Sequence, residues 1–143
     1  VYKRQAKGTP DTSGELYLSG QDAMGIAKAD SRLGEKSFHT TAGATRLFDI
    51  FLQAAPEIIA NIGDPVLAPA CALNGVSSPM FDATTGACVR NSVSCLLGRP
   101  AEADDMTLCD VVLSKADPNS SSDKTNKQRI AVALLLSAGH TCE

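Results

Sequence analysis

The chain has few of the residues that usually carry chemistry. Trp is absent, aromatic residues make up 4% of the 143 residues, and the two histidines are His39 and His140. Two histidines exclude a histidine-rich metal site within this sequence. The motifs G-x-S-x-G, G-x-G-x-x-G, H-E-x-x-H and the Walker loop are also missing. The sequence therefore contains no recognisable active site, predicts no cofactor, and leaves the assignment to an enzyme class open.

Long apolar runs and basic clusters are missing as well. The longest apolar run extends from Ile130 to Leu136, whereas a membrane-spanning helix needs about 20 such residues. The net charge is -3 and the pI about 5.3, and no basic patch carries interleaved aromatic residues, so neither a membrane span nor a nucleic-acid partner is expected. With so few aromatic residues, the core must be built from Leu, Ile, Val, Ala and Met.

The cysteines are confined to the second half of the chain. Residues 1–70 contain none, and no two cysteines are as close as C-x-x-C. The five are Cys71, Cys88, Cys95, Cys109 and Cys142. This spacing favours a disulfide framework over a metal or redox site, and it indicates a periplasmic or extracellular location.

Two bridges and one remaining thiol are expected from five cysteines. Cys71 and Cys88 flank one turn-rich segment and form the most local pair, whose closure would contribute about 3 kcal/mol. If the last two helices are antiparallel, Cys142 comes close to residues 95–100, which favours a Cys95–Cys142 bridge. Cys109 is then predicted to be a buried thiol, and a Cys95–Cys109 bridge is the main alternative.

The first strong helix is predicted to begin near Thr41. Pro56 lies inside its apolar pattern and predicts a kink or two abutting helices, because proline removes a backbone donor and clashes with the preceding turn. The apolar pattern continues across Pro56, which favours the kink. Gly63 is expected to end the helix. Upstream, residues 15–18 are predicted to form a short strand and residues 21–29 a short helix. The buried face should consist of Leu47, Ile50, Phe51, Ala54, Ile58, Ile59 and Ile62.

The turn-forming residues in the segment 63–90 predict irregular structure, with a turn over residues 81–86. Asn91 is the expected cap of the short helix that follows. Pro100 suits the first turn of the next helix, over residues 101–114.

A final helix is predicted over residues 123–138, capped by Ser122 or Asp123 and ended by Gly139. The short polar loop before it favours an antiparallel pair of helices. The fold class is therefore predicted to be mainly α, with an irregular disulfide-stapled segment followed by a C-terminal helical hairpin.

The first five residues, Val-Tyr-Lys-Arg-Gln, resemble the translation of a sequencing adaptor, the mosaic end of a transposase used to prepare DNA libraries. This resemblance implies that residues 1–5 are an artefact and that the chain is a fragment from an environmental sequence read. Residues 6–40 are then interpreted as the tail of a preceding domain or a polar linker. Residues 41–143 are interpreted as a disulfide-stabilised helical domain.

A second resemblance covers residues 95–138. The segment Leu-Leu-Gly-Arg-Pro at 96–100, a following acidic helix and a helix ending Leu-Leu-Leu-Ser at 134–137 are similar to a helical pair in large secreted proteins of planctomycetes and related bacteria, which often carry cytochrome-like domains elsewhere. The haem motif of those proteins, C-x-x-C-H, is absent here. The resemblance implies a helical accessory region and transfers no functional residue.

One polar loop has some of the spacing of a calcium site. Oxygen-bearing side chains alternate at Asp117, Asn119, Ser121 and Asp123, as at positions 1, 3, 5 and 7 of a calcium loop. Ser122 replaces the glycine needed for the turn, and Gln128 replaces the bidentate glutamate. The loop is therefore interpreted mainly as a connection between helices.

The preferred function is a non-catalytic structural or interaction module at the C-terminal end of a larger exported bacterial protein. Its partner would be another protein or the remainder of its own chain. Two alternatives are an accessory part of an enzyme or cytochrome-like protein whose active site lies upstream, and a weak calcium-binding module at residues 117–123.

Overall fold

A computed structural model describes residues 12–24, 41–72 and 76–141 of the chain. The described residues form five α-helices and one short 3-10 helix. The α-helices are α1 (Ser13–Met24), α2 (Thr41–Asn61), α3 (Arg90–Leu97), α4 (Ala103–Leu113) and α5 (Ser121–Thr141), and the 3-10 helix is Pro69–Cys71. The fold is mainly α, as predicted, with no strand in the described residues.

Helix α5 organises the packing. It contacts α2, α3 and α4, and α1 packs against α2, its one partner among the described helices. Ala131, Val132 and Leu135 of α5 are fully buried, as are Val93 of α3 and Cys109 of α4. These side chains form one core, which also includes residues of α2 and of the segment before α3. Aliphatic and small residues therefore fill the interior, as the scarcity of aromatic residues predicts.

Helix α2 confirms the predicted helix that begins near Thr41. It continues through Pro56 without a break and ends at Asn61, where Ile62 and Gly63 make a turn. Ala55 and Ile62 are buried, and Ile58 and Ile59 pack partly buried against the core. Three members of the predicted buried face, Ile58, Ile59 and Ile62, therefore reach the core. The fully buried Ala55 was not predicted, and the other four members are half-buried: Leu47, Ile50, Phe51 and Ala54.

Residues 15–18 are helical, so the predicted strand is wrong. The Thr12 hydroxyl accepts a hydrogen bond from the Glu15 amide at 3.3 Å, and this cap starts α1 before the predicted strand. Arg46 of α2 donates from Nε to the Leu16 carbonyl at 3.1 Å, which ties α1 to α2. The predicted helix over residues 21–29 lies mostly outside the described residues. The interpretation of residues 6–40 as the tail of a preceding domain or a polar linker stays a prediction.

Four predicted helix boundaries shift in the structure. Helix α3 begins at Arg90 with Val89 at its N-cap, so Asn91 is not the cap. Helix α4 begins at Ala103 with Glu102 at its N-cap, three residues beyond Pro100. At the start of α5 the Ser120 hydroxyl accepts from the Asp123 amide at 3.2 Å, so Ser120 is the cap, and the helix continues beyond Gly139 to Thr141.

Helices α4 and α5 pack against each other, and together with the disulfide-linked segment before them they match the predicted organisation. The far end of α5 lies beside α3. A Cβ added at Gly139 would stand 3.1 Å from Cδ2 of Leu97. The expected placement of the end of the last helix near residues 95–100 is therefore found.

Candidate functional site

Two disulfides fix the segment between α2 and α3 onto the helices. Cys71, at the end of the 3-10 helix, is bonded to Cys95 of α3, with 5.3 Å between the Cα atoms. Cys88, just before α3, is bonded to Cys109 of α4, with 6.4 Å between the Cα atoms. Both Cα separations lie in the range that disulfides adopt.

This pairing corrects the predicted one. The predicted bridges were Cys71–Cys88 and Cys95–Cys142, with Cys109 as a thiol. The 3-10 helix contacts α3, which brings Cys71 to Cys95 rather than to Cys88. Cys109 is buried as predicted, but it is bonded to Cys88, so neither the predicted thiol nor the alternative Cys95–Cys109 bridge is present. Cys142 lies outside the described residues.

A short hairpin positions Cys88. Phe81 and Cys88 form an antiparallel bridge, and the Val89 amide donates to the Met80 carbonyl at 3.1 Å. The predicted turn between them is present, with Gly86 at a positive φ of 74°. Met80, Phe81 and Cys88 are all buried, so the hairpin directs Cys88 toward α4.

Asp82 holds that turn together. Its Oδ1 accepts hydrogen bonds from the Thr85 amide at 2.6 Å and the Thr84 amide at 2.9 Å. The Thr85 backbone bond is the main cause that lowers the pKa of Asp82 below its usual 3.8, with the Thr85 hydroxyl next. Asp82 is therefore an ionised acceptor that shapes the turn.

The described residues on either side of position 74, 63–72 and 76–79, include exposed apolar side chains. Val66 is 83% exposed and Val76 67%, and Leu67 is also exposed. A shallow depression beside them is lined by Ile59, Ala60, Gly63, Asp64, Pro65 and Pro79. Asp64 Oδ1 accepts from the Val66 amide at 2.8 Å, so this carboxylate shapes the loop.

Arg99 and Asp105 form the strongest charged contact in the described residues. Two guanidinium nitrogens of Arg99 donate to the two Asp105 oxygens at 2.7 and 2.9 Å, and the Glu102 amide donates to the same carboxylate at 2.8 Å. The Arg99 hydrogen bonds are the main cause that lowers the pKa of Asp105 below 3.8, against a smaller opposing effect of burial. Asp105 thus fixes the start of α4.

Sequence reasoning missed this contact, although a signal was present. An acidic residue three positions after the N-cap, as in Glu102-x-x-Asp105, is a variant of the capping box. Arg90 adds to the same connection by donating to the Ala101 carbonyl at 2.6 Å. The residues between α3 and α4 are therefore held by structural hydrogen bonds.

The calcium-like loop uses its oxygens internally. Asp117 Oδ1 accepts from the Asn119 amide at 2.9 Å, and Asp123 Oδ2 accepts from the Asp117 amide at 2.7 Å. Ser121, the remaining candidate, begins α5. Within residues 12–24, 41–72 and 76–141, no three His, Cys, Asp or Glu side chains are grouped closely enough to hold a metal ion. The loop is arranged as a turn and helix cap.

Comparison with known proteins identifies no relative. No family model, curated protein or solved structure matches the chain. Among the described helices, none is both long enough and apolar enough to cross a bilayer. The function is therefore inferred from the residues themselves.

Proposed function

We propose that this chain is a non-catalytic structural or interaction module of a larger exported bacterial protein. The observation that supports this most is the covalent attachment of the irregular segment to α3 and α4 by two disulfides. Such bonds persist in the periplasm and outside the cell and are rare in the cytosol. They hold in place a stretch that is mostly not helical.

The chemistry of the described polar residues also supports a non-catalytic module. Asp82 shapes a turn, Asp105 fixes the start of α4, and Asp123 closes the loop before α5. A catalytic carboxylate, in contrast, must reach a proton or reacting atom of a substrate. In these three cases the carboxylate oxygens accept hydrogen bonds from the protein itself.

Export can be tested directly. The chain would be produced in a bacterium with and without an added export signal, and the thiols would be trapped at lysis and mapped by mass spectrometry. In the exported chain we expect Cys71–Cys95 and Cys88–Cys109 to be oxidised. In the chain that lacks the signal and is retained in the cytoplasm, we expect the thiols to be reduced and the protein to be sensitive to protease. A retained chain with four free thiols and equal protease resistance would contradict the need for an oxidising compartment.

A test of the non-catalytic assignment requires the gene sequence upstream of residue 6. If that sequence encodes a nucleophile or C-x-x-C-H motif, residues 41–143 would be deleted from the full protein and the activity measured on the purified remainder. A module of the proposed kind leaves turnover by the folded remainder unchanged and alters its assembly or abundance. Loss of turnover in a remainder that folds normally would assign these residues to the enzyme.

A further inference from the structure

The two disulfides differ in their access to solvent. Cys88 is 8% exposed and Cys109 is 0% exposed, whereas Cys71 and Cys95 are both half-buried. A thiolate breaks a disulfide by direct attack on one of its sulfurs, so the rate depends on access to that sulfur. The Cys71–Cys95 bond is therefore the more reactive of the two toward a dissolved thiol.

The accessible bond is also the covalent link between its segment and α3. The described hydrogen bonds of residues 64–72 stay within residues 61–72: the Ala68 amide donates to the Asp64 carbonyl at 2.8 Å, and the Cys71 amide to the Ala68 carbonyl at 3.0 Å. None of those described bonds reaches α3. Without the Cys71–Cys95 bond, only the packing of the 3-10 helix would hold this stretch on α3.

The buried bond lies in a different environment. Cys88 and Cys109 belong to the core together with Met80, Val93 and Leu135. The Ser92 hydroxyl also donates to the Ser78 and Pro79 carbonyls at 2.8 Å, which anchors the chain just before the hairpin. A thiol would reach Cys88–Cys109 only after the core opens.

We infer that Cys71–Cys95 is a redox-sensitive clasp, which a dithiol opens while Cys88–Cys109 stays closed, releasing residues 63–72 from α3. A thiolate of the dithiol attacks one sulfur of the clasp and forms a mixed disulfide, and the other cysteine leaves as a thiolate that takes up a proton. The second thiol of the dithiol then displaces the bound cysteine. The dithiol is oxidised to its cyclic disulfide, and the cysteine pair gains two electrons.

The order of opening is measured on the full chain. Dithiothreitol would be added for increasing times, the thiols blocked with iodoacetamide, and the peptides mapped by mass spectrometry. We expect Cys71 and Cys95 to be labelled about tenfold faster than Cys88 and Cys109, because burial limits attack. A Cys142→Ser variant, treated in parallel, excludes exchange with the fifth cysteine. Equal rates, or faster labelling of Cys88 and Cys109, would overturn the inference.

The release of the segment is measured with thermolysin, which cleaves before apolar residues. In the Cys71→Ser/Cys95→Ser variant we expect cleavage before Val66 and Leu67 to become about tenfold faster, while α3, α4 and α5 stay protected, because local opening controls proteolysis. The Cys88→Ser/Cys109→Ser variant is the matched control and should be cleaved throughout. If residues 63–72 stay as protected as in the oxidised chain, the clasp does not hold them and the inference is wrong.

Discussion

At the scale of single residues, the contact between Arg99 and Asp105 shows how polar groups define this structure. Asp105 is buried and receives hydrogen bonds from the Arg99 guanidinium and from the Glu102 amide. Removing one partner of such a contact leaves the other groups without their acceptor, which is costly in a buried position. The start of α4 therefore depends on one carboxylate.

We expect Asp105→Asn to reduce the free energy of unfolding by about 1–3 kcal/mol at pH 7. The matched control is Asp104→Asn, which removes the same charge from an exposed residue in the same turn and should cost only about 0.3–1 kcal/mol through the helix dipole. Urea unfolding of both variants measures the difference. Equal losses would show that the Arg99 contact adds nothing.

The same contact predicts a dependence on pH. Because the folded state lowers the pKa of Asp105 below 3.8, the ionised form stabilises the fold above that pH. The contribution is lost as the pH falls through the lowered pKa. Between pH 5 and pH 2 the wild type should therefore lose more stability than Asp105→Asn, and parallel curves for the two proteins would contradict this.

At the scale of elements, helix α5 contributes more buried residues to the core than any other described helix. Leu135 is fully buried, so Leu135→Ala should destabilise the protein by about 2–5 kcal/mol through lost burial and the cavity that remains. Leu18→Ala makes the same change at a half-exposed position of α1 and should have a much smaller effect. Denaturant unfolding compares them, and similar losses would argue against α5 as the centre of the core.

The loop before α5 should not bind calcium tightly. Gln128 stands where a bidentate glutamate is needed, and the Asp117 and Asp123 oxygens accept backbone hydrogen bonds. We expect calorimetry to show no calcium affinity tighter than about millimolar. Micromolar binding that disappears in Asp117→Ala would contradict this prediction.

The elements also show which parts of the fold a sequence can predict. Helix α2 was predicted because its apolar residues repeat with helical spacing over many residues, and such a repeat is visible in the local sequence. Residues 15–18 were misassigned, since four residues are too few to separate a strand from a helix and the cap at Thr12 decided the outcome. The cap of α3 was misplaced by two residues because its N-cap, Val89, makes no side-chain cap hydrogen bond that a sequence could signal. The cap of α5 was misplaced by two or three residues because Ser120, Ser122 and Asp123 are all suitable cap residues.

The cysteine pairing depends on how whole elements pack against one another, and this packing cannot be deduced from local sequence patterns. The end of α5 does lie near Leu97, as expected from an antiparallel pair of helices. Cys95 nevertheless binds Cys71, because the 3-10 helix packs on α3. The hydrogen bond between the Glu102 amide and Asp105 was recognisable in principle from the capping-box spacing, whereas the pairing of Cys88 with Cys109 was not.

At the scale of the whole molecule, the two disulfides should account for a large share of the stability. They join cysteines 24 and 21 residues apart, and each is expected to contribute about 3 kcal/mol in the chain-entropy model. Because the two loops overlap along the chain, the combined effect should be smaller than the sum. Urea unfolding with and without full reduction measures it.

A variant with serine at Cys71, Cys88, Cys95 and Cys109 provides the control for that measurement. It should unfold at the low urea concentration of the reduced protein, and a reductant should leave its midpoint unchanged. A reduced wild-type chain as stable as the oxidised one would show that the helices alone determine stability.

The position of α5 in the chain has a consequence for biogenesis. Helices α2, α3 and α4 all precede α5 in the sequence, yet each of them packs against it. During synthesis or translocation from the N-terminal end, these helices emerge before the helix that covers their apolar faces. The contacts between α2 and α5 are distant in sequence, and such contacts slow folding and prolong the exposure of aggregation-prone intermediates. A chaperone that shields α2–α4 until α5 emerges would therefore act at the step where this protein is most vulnerable to aggregation.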